Sequence, residues 1–249
     1  MNLTLVFTFL FGLIFGSFLN VCIYRLPRGE SIVFPPSHCT SCQNRLQPKD
    51  LIPLVSYLLL QGKCRYCGEK IHWRYPIIEL INGLGWVWII SSCGINGQGV
   101  AGLFLFSLSL VITLIDFEHF LIPNSLVALL FFCGLLYHPI WGELSLTKQL
   151  LGMVVGFGLP FFLALISRGG MGGGDIKLCA AMGIWLGYPA IVQAMFIGAL
   201  LASVTGIALI ITKIKKRKDP IPFGPFLMLG FLAIFFFQEP ILFWYLSLF

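Results

Sequence analysis

The chain has 249 residues, 58% hydrophobic, 15% aromatic and only 10% charged, with a mean hydropathy of +0.92. Soluble domains carry roughly 25% charged residues, so this composition excludes a soluble globular protein and indicates a polytopic membrane protein. The formal net charge of +6 is not a nucleic-acid footprint, because the charges are sorted by side of the membrane.

Apolar runs occur at Leu3–Tyr24, Ile77–Cys93, Val100–Ile115, Ile122–Trp141, Leu150–Ser167, Ile176–Tyr188, Ala190–Thr212 and Phe226–Phe249. Most approach the roughly 20 residues that cross hydrocarbon as a helix, and open strands are not tolerated in lipid. The expected fold is all-α and polytopic, about eight transmembrane helices with a small zinc-binding cytoplasmic insert. It divides into a first helix at 1–24, the insert at 25–76 and a helical domain at 77–249. The first run lacks the basic flank that opens a secretory signal, and its positive residues, Arg25 and Arg28, follow it. It therefore reads as an anchoring helix with its N-terminus outside. The sixth run is short, 13 residues, which calls for a tilted crossing, a locally thin bilayer or shielding by protein.

The insert carries Pro27, Pro35, Pro36, Pro48 and Pro53 and most of the charged groups. It also carries Cys39-Thr40-Ser41-Cys42 and Cys64-Arg65-Tyr66-Cys67, two CxxC pairs separated by 21 residues. Each pair can present two thiolates to one ion, and two pairs complete the tetrahedral site that structural zinc prefers. Two disulfides or redox-active pairs are the alternatives. A cytoplasmic location argues against disulfides, and no thioredoxin-like βαβ pattern surrounds the cysteines. His38, beside Cys39, is a substitute ligand, although four cysteines suffice. Cys22, Cys93, Cys133 and Cys179 lie in or beside apolar runs and read as small packing residues.

Orientation follows from Lys and Arg. Arg25, Arg28, Arg45, Lys49, Lys63, Arg65, Lys70 and Arg74 lie between the first two runs. Arg168 and Lys177 flank a glycine stretch, and Lys213, Lys215, Lys216, Arg217 and Lys218 form the last cluster. With eight alternating crossings, 15 of the 16 basic residues share one side and only Lys148 is opposite. The positive-inside rule makes that side cytoplasmic.

Two aspartates are then expected at the cytoplasmic ends of their helices. Asp116 closes the third run. Asp175 opens the sixth, directly after Gly172-Gly173-Gly174. An ionisable residue at the edge of a bilayer is a functional hypothesis by default. A carboxyl pair sharing one proton can hydrolyse a peptide: one deprotonated Asp activates water while its protonated partner polarises the scissile carbonyl. Gly172, Gly173 and Gly174 clear side chains from the path of an extended substrate backbone. Pro123 is expected to leave Asp116 on a bent, accessible segment, and Pro222, Gly224 and Pro225 supply a further irregular wall. The plainer reading makes Asp116 an interfacial charge paired with Lys177 or His119, and Asp175 a helix cap.

Taken together, these residues resemble the type IV prepilin peptidases, bifunctional leader peptidase/N-methyltransferases of the GxGD aspartyl protease group. The resemblance is carried by Gly16 through Pro27, both CxxC pairs and Arg74-Tyr75-Pro76-Ile77-Ile78-Glu79-Leu80. It continues through Asp116 to Asn124, Gly172 to Lys177 and Ile221 to Pro225. It implies a bacterial inner-membrane enzyme whose catalytic pair is Asp116 and Asp175. Its substrates would be type IV prepilins or type II secretion pseudopilins, cut after a basic leader while the pilin helix stays among membrane lipid. The new N-terminus would then be methylated with S-adenosylmethionine. Gly62 matches a position associated with methylation, and Arg74 and Glu79 are candidate contributors to the cofactor site or members of a structural ion pair. The Ile221–Pro225 stretch resembles the Pro-Ala-Leu motif of presenilin-type relatives, although its residues differ. A peptidase without methyl transfer and a non-enzymatic membrane scaffold with a zinc module are the competing readings.

Overall fold

The structure is a computed structural model describing residues 3–142, 144–167, 170–216 and 219–246, with side chains as far as residue 238. Arg168, Gly169, Arg217, Lys218 and the last three positions of the eighth apolar run lie outside the described residues.

The helices follow the apolar runs: α1 (Leu3–Arg25), α2 (Val55–Leu59), α3 (Arg74–Cys93), α4 (Gly97–His119), α5 (Asn124–Trp141), α6 (Leu146–Ile166), α7 (Gly173–Leu186), α8 (Ala190–Ile211) and α9 (Gly224–Leu246). Among the described residues there is no strand, only isolated bridges between His38 and Arg45 and between Lys63 and Lys70. Among the described residues six helices, α1, α3, α4, α5, α6 and α8, are long and apolar enough to cross a membrane. The chain forms two compact units that divide between Val111 and Ile112, inside α4. The insert falls within the first unit, and both aspartates fall within the second.

In the first unit α1 packs along α3. Their backbones approach so closely that a Cβ on Gly16 would sit 2.7 Å from Cα of Glu79, the small-residue contact typical of helices in lipid. Apart from Asn20 Oδ1, which has no partner, the buried polar groups named here find partners rather than lying bare in an apolar setting, where each would cost several kcal/mol. Asn82 donates to the carbonyl of Gly12 at 2.7 Å, and Asn20 donates to that of Tyr75 at 3.1 Å. Ser107 donates to Asn82 Oδ1 and itself accepts from Trp86 Nε1, both at 2.9 Å.

The insert is tied to these helices by two buried charged side chains. Arg25 closes α1 and donates to the carbonyls of Ser31 and Pro35, at 2.9 and 2.7 Å. Glu79, on α3, accepts the main-chain N–H of Leu54 at 2.9 Å. Leu54 precedes α2 with φ at 60°, a strained conformation for a branched side chain. The carboxylate of Glu79 helps to hold that turn.

In the second unit α7 is the central element, packed against α5, α6, α8 and α9. Nine of its 14 residues are buried, including an unbroken stretch from Ala181 to Leu186. Shielding by protein, one of the three explanations open for the short sixth run, is present here. Gly183 faces Gly152 of α6, and a Cβ on either would enter the other's main chain. On the opposite side Trp185 Nε1 donates to the carbonyl of Leu130 at 2.7 Å, and His138 Nε2 lies 2.9 Å from the carbonyl of Trp185. These bonds join α7 to α5.

Glu79→Ala removes the acceptor for Leu54 and is expected to destabilise the first unit by about 1–3 kcal/mol, the cost of stranding a part-buried donor. Glu79→Gln keeps an acceptor and should lose less. Thermal unfolding in detergent and protease cutting around residues 50–60 measure both; equal behaviour of Glu79→Ala and the unmodified protein would remove Glu79 from this role.

Candidate functional site

Asp116 sits in the last turn of α4 with 6% of its surface exposed. The expectation of a bent, accessible segment is therefore corrected. The helix continues through His119 and carries the carboxylate inward. The bend comes one residue later, at Phe120, whose φ of 51° turns the chain while its N–H still bonds the carbonyl of Asp116 at 2.9 Å. A left-handed residue directly after the last helical one is a common helix stop. Pro123 then serves as the N-cap of α5.

The carboxylate of Asp116 is oriented by one main-chain donor. Gly224 N–H, at the start of α9, donates to Asp116 Oδ2 at 2.8 Å. A Cβ on Gly224 would lie 2.8 Å from the same oxygen, so only glycine lets this backbone approach without displacing the carboxyl. Pro222 and Pro225 are buried on either side of it.

Asp175 lies in the first turn of α7. Gly172 is the N-cap, and its main chain hydrogen-bonds the Asp175 carboxyl. Asp175 is therefore not the cap that the plainer reading makes it: it is the third residue of α7, which starts at Gly173 rather than Ile176, and its carboxyl is turned back toward the helix start. Asp116 and Asp175 line one cavity of about 320 Å³, and the charge of one acts on the other. Neither pairs as the plainer reading supposed: Lys177 donates to Asn124 Oδ1 at 3.1 Å, and His119 Nε2 lies 3.9 Å from Glu118.

The three glycines share the cavity wall but differ in surroundings. A Cβ on Gly172 would lie 2.9 Å from Asp175 Oδ2 and one on Gly174 3.1 Å from Ile122 Cβ, whereas one on Gly173 would meet open space. Gly173 is therefore the position at which bare main chain faces the cavity. Beside Ile122, the residues Phe120, Leu121, Asn124 and Lys177 complete the lining. The sequence offered little to single these four out beyond proximity, since Lys177 follows Asp175 by two residues and Asn124 follows Pro123.

The first unit holds a separate cluster. The sulfurs of Cys39, Cys42, Cys64 and Cys67 all lie within 4.8 Å of one another. Their loops are built alike. Cys39 N–H bonds the carbonyl of Asn44 and Gln43 N–H that of Cys39; Cys64 N–H bonds the carbonyl of Glu69 and Gly68 N–H that of Cys64. Gln43 and Gly68 occupy the same place in the two turns, with φ of 59° and 73°. Four Zn–S bonds of about 2.3 Å in a tetrahedron imply sulfurs about 3.8 Å apart. Cys39 and Cys67 are 3.9 Å apart, far beyond a disulfide bond, and all eight cysteines are free thiols. His38 Nδ1 lies 3.0 Å from the carbonyl of Pro36, outside the sulfur cluster.

The thiols compete for charge. Burial would raise Cys39, but main-chain donors from Cys42 and Ser41 and the Cys64 and Cys42 thiols lower it to about 6. The Glu69 main chain would lower Cys67, but slight burial and the other three thiols push it up to about 12. A dication relieves this competition by accepting all four sulfurs as thiolates. Asp50 braces the second loop by accepting from Arg65 Nε at 2.6 Å and Tyr66 Oη at 2.9 Å. Burial would raise its carboxyl, but hydrogen bonds from Arg65, the Gln47 main chain and Tyr66 hold it below the usual carboxylate range.

Gly62 follows α2 with φ of 67°, and a Cβ there would lie 3.0 Å from the Tyr57 ring. Any side chain at this position would be strained and crowded. Arg74 opens α3 with its guanidinium 5.7 Å from the Tyr75 ring centroid, and Glu79 holds Leu54 as described above.

Comparison with known proteins follows the same division of the chain. Residues 10–93, which include the four clustered cysteines, match the bacterial peptidase A24 N-terminal domain. Residues 103–211, which include both aspartates, match the type IV leader peptidase family. The chain is similar to a prepilin leader peptidase/N-methyltransferase of Aeromonas hydrophila, at 33% identity over 96% of this chain and 92% of that protein. It is also similar to proteins of the same name from Bacillus subtilis, at 33% over 96% and 97%, and Pseudomonas aeruginosa, at 33% over 91% and 88%. No solved structure matches the chain.

Proposed function

The chain belongs to the type IV leader peptidase family, and on that premise we propose that it is a membrane aspartyl endopeptidase and N-methyltransferase. It removes the leader of type IV prepilins or type II secretion pseudopilins and methylates the new N-terminus. The observation that carries the peptidase reading is the single cavity shared by Asp116 and Asp175. The names of the similar proteins support both activities. The concentration of Lys and Arg on one side supports a site facing the cytoplasm, where a basic leader would lie.

In this reading the pair holds one proton and titrates as a unit. The ionised carboxylate takes a proton from water as its oxygen attacks the scissile carbonyl carbon. The protonated partner donates a hydrogen bond to the carbonyl oxygen, whose charge is growing. Collapse of the tetrahedral intermediate breaks the C–N bond, and the leaving amine takes a proton from the pair. Gly224 orients Asp116, Gly172 orients Asp175, and Gly173 gives an extended substrate backbone room to approach. Pro222 and Pro225 set the start of α9 so that the Gly224 N–H meets the carboxylate.

Cys39, Cys42, Cys64 and Cys67 hold a structural zinc ion, which the sulfur spacing fits. S-adenosylmethionine, when bound, supplies the methyl group for the amine released by cleavage. Gly62, Arg74 and Glu79 act in methyl transfer by shaping the insert around the donor.

Asp116→Asn and Asp175→Asn each remove a member of the pair and are expected to lower leader cleavage at least about 1000-fold in folded protein, the order seen when groups acting as one unit are broken. Full cleavage of a prepilin by purified Asp175→Asn protein would sink the mechanism. Elemental analysis is expected to find one zinc per chain, absent when Cys39 and Cys64 are both replaced by serine; metal-free wild-type protein refutes the assignment. Mass spectrometry of the cleaved pilin should show one added methyl group only when S-adenosylmethionine is supplied, and an unmodified product leaves a peptidase alone.

A further inference from the structure

Beside the acid cavity lies a second cavity of similar size, about 320 Å³, that the mechanism above does not use. It opens between α5 and α7, and its character is opposite. Its floor is small and apolar, formed by Ala128, Ala180 and Ala181, and Phe131, Phe132 and Phe157 wall it. Phe132 and Phe157 are exposed, at 61% and 45%, so the groove is open along its length to whatever surrounds the helices.

The two cavities share Asn124 and Lys177. These residues are hydrogen-bonded to each other at 3.1 Å, and their bond forms a polar threshold between acid site and apolar groove. Both helices start at that threshold: Asn124 is the first residue of α5, and Lys177 lies in the second turn of α7. Lower contacts pair Leu130 with Trp185 and His138 with Trp185, so α5 and α7 descend side by side from the acid pair. The groove follows the helical stripe Asn124, Val127–Ala128, Phe131–Phe132. At 1.5 Å per residue it extends about 12 Å, roughly two turns, below the threshold.

Its dimensions select an occupant. A two-turn helix about 10 Å across and 12 Å long fills on the order of 900 Å³, so the groove admits the side chains of a helix laid along it but not a whole helix. Alanine in the floor lets a neighbouring backbone come close, and the phenylalanines provide ridges for side chains to pack between. A lipid acyl chain would suit the walls equally well. Continuity with the acid pair through Asn124 and Lys177 favours a polypeptide, because a chain leaving this groove across the threshold meets both carboxylates.

We propose that the groove between α5 and α7 seats the first two turns of an apolar helix in the substrate, directly after the scissile bond, and so sets which bond reaches Asp116 and Asp175. The inference rests on the peptidase reading and adds a substrate-positioning surface to it. Lys177 and Asn124 mark the point at which the substrate must leave helical form and become extended for cleavage.

The test compares two substrates of the full-length protein in lipid vesicles: a complete prepilin, and a short soluble peptide that spans the scissile bond and stops before the apolar segment. Filling the floor with Ala128→Phe or Ala180→Phe should lower the ratio of kcat/KM for the complete substrate over the short peptide by at least about tenfold, the scale of an overpacked apolar contact. A ratio unchanged within about twofold overturns the proposal. In wild-type protein, where folding of a variant is not at issue, a photo-crosslinking residue three to eight positions after the scissile bond should attach to α5, α6 or α7 at the groove. Attachment confined to α1 or α8, or capture of lipid alone at the groove, also overturns it. Failure of the wild-type protein to cut either substrate rejects the peptidase reading itself, whereas cleavage with an unchanged ratio rejects only the groove.

Discussion

The carboxylate of Asp116 accepts a main-chain N–H, that of Gly224, at 2.8 Å from a residue 108 positions further along the chain. A carboxyl enclosed by apolar helices is costly unless it is hydrogen-bonded. Here the donor is backbone and the donor residue has no side chain, so the end of α4 and the start of α9 are held in register by one short contact. Around that contact the other parts of the second unit fall into place. Phe120 turns the chain away, Ile122 packs against Gly174, and the start of α7 brings Asp175 to the same cavity. The central position of α7 depends on backbone contacts of the same kind, Gly183 against Gly152 above all. In lipid there is little hydrophobic force between helices, and close packing of small residues replaces it.

The first unit solves a different problem. Its insert buries almost none of its apolar side chains, and small domains without a core of their own are commonly stapled by metal or disulfides. The two CxxC turns have the same backbone bonds, gather four sulfurs, and are braced by Asp50. Arg25 and Glu79 then fasten the surrounding loops to α1 and α3. Both charged groups are buried: Arg25 spends its hydrogen bonds on main-chain carbonyls, and Glu79 accepts from the Leu54 main chain and the Ser17 side chain. That gives the residues around Gly62 and Glu79 a structural role whatever further part they take in methyl transfer.

Several features were legible because they depend on composition and short-range pattern. The apolar runs became helices with ends shifted by a few residues, the last of them kinked at Phe237, since backbone satisfaction in lipid favours helix. The paired CxxC spacing led to a sulfur cluster because a four-residue turn brings its own two thiols together. The environment of Asp116 does not follow from Pro123, because the left-handed residue that stops α4 is Phe120, a residue with no marked preference for that conformation. The polar threshold at Asn124 and Lys177 and the apolar groove below it were not legible, because the α5 stripe becomes a groove only beside residues of α6 and α7.

What the sequence by itself determined was the all-helical membrane character, the clustering of basic residues, the two paired-cysteine turns and the two aspartates, all of which are marked by composition and short-range pattern. Only the tertiary structure decided that Asp116 is buried and held by Gly224, that Asp175 shares its cavity, and that an apolar groove leads away from both. Those outcomes depend on which glycine faces meet and how closely their backbones approach. Interhelical distance in a membrane is a property of paired surfaces, and no single apolar run specifies its neighbour.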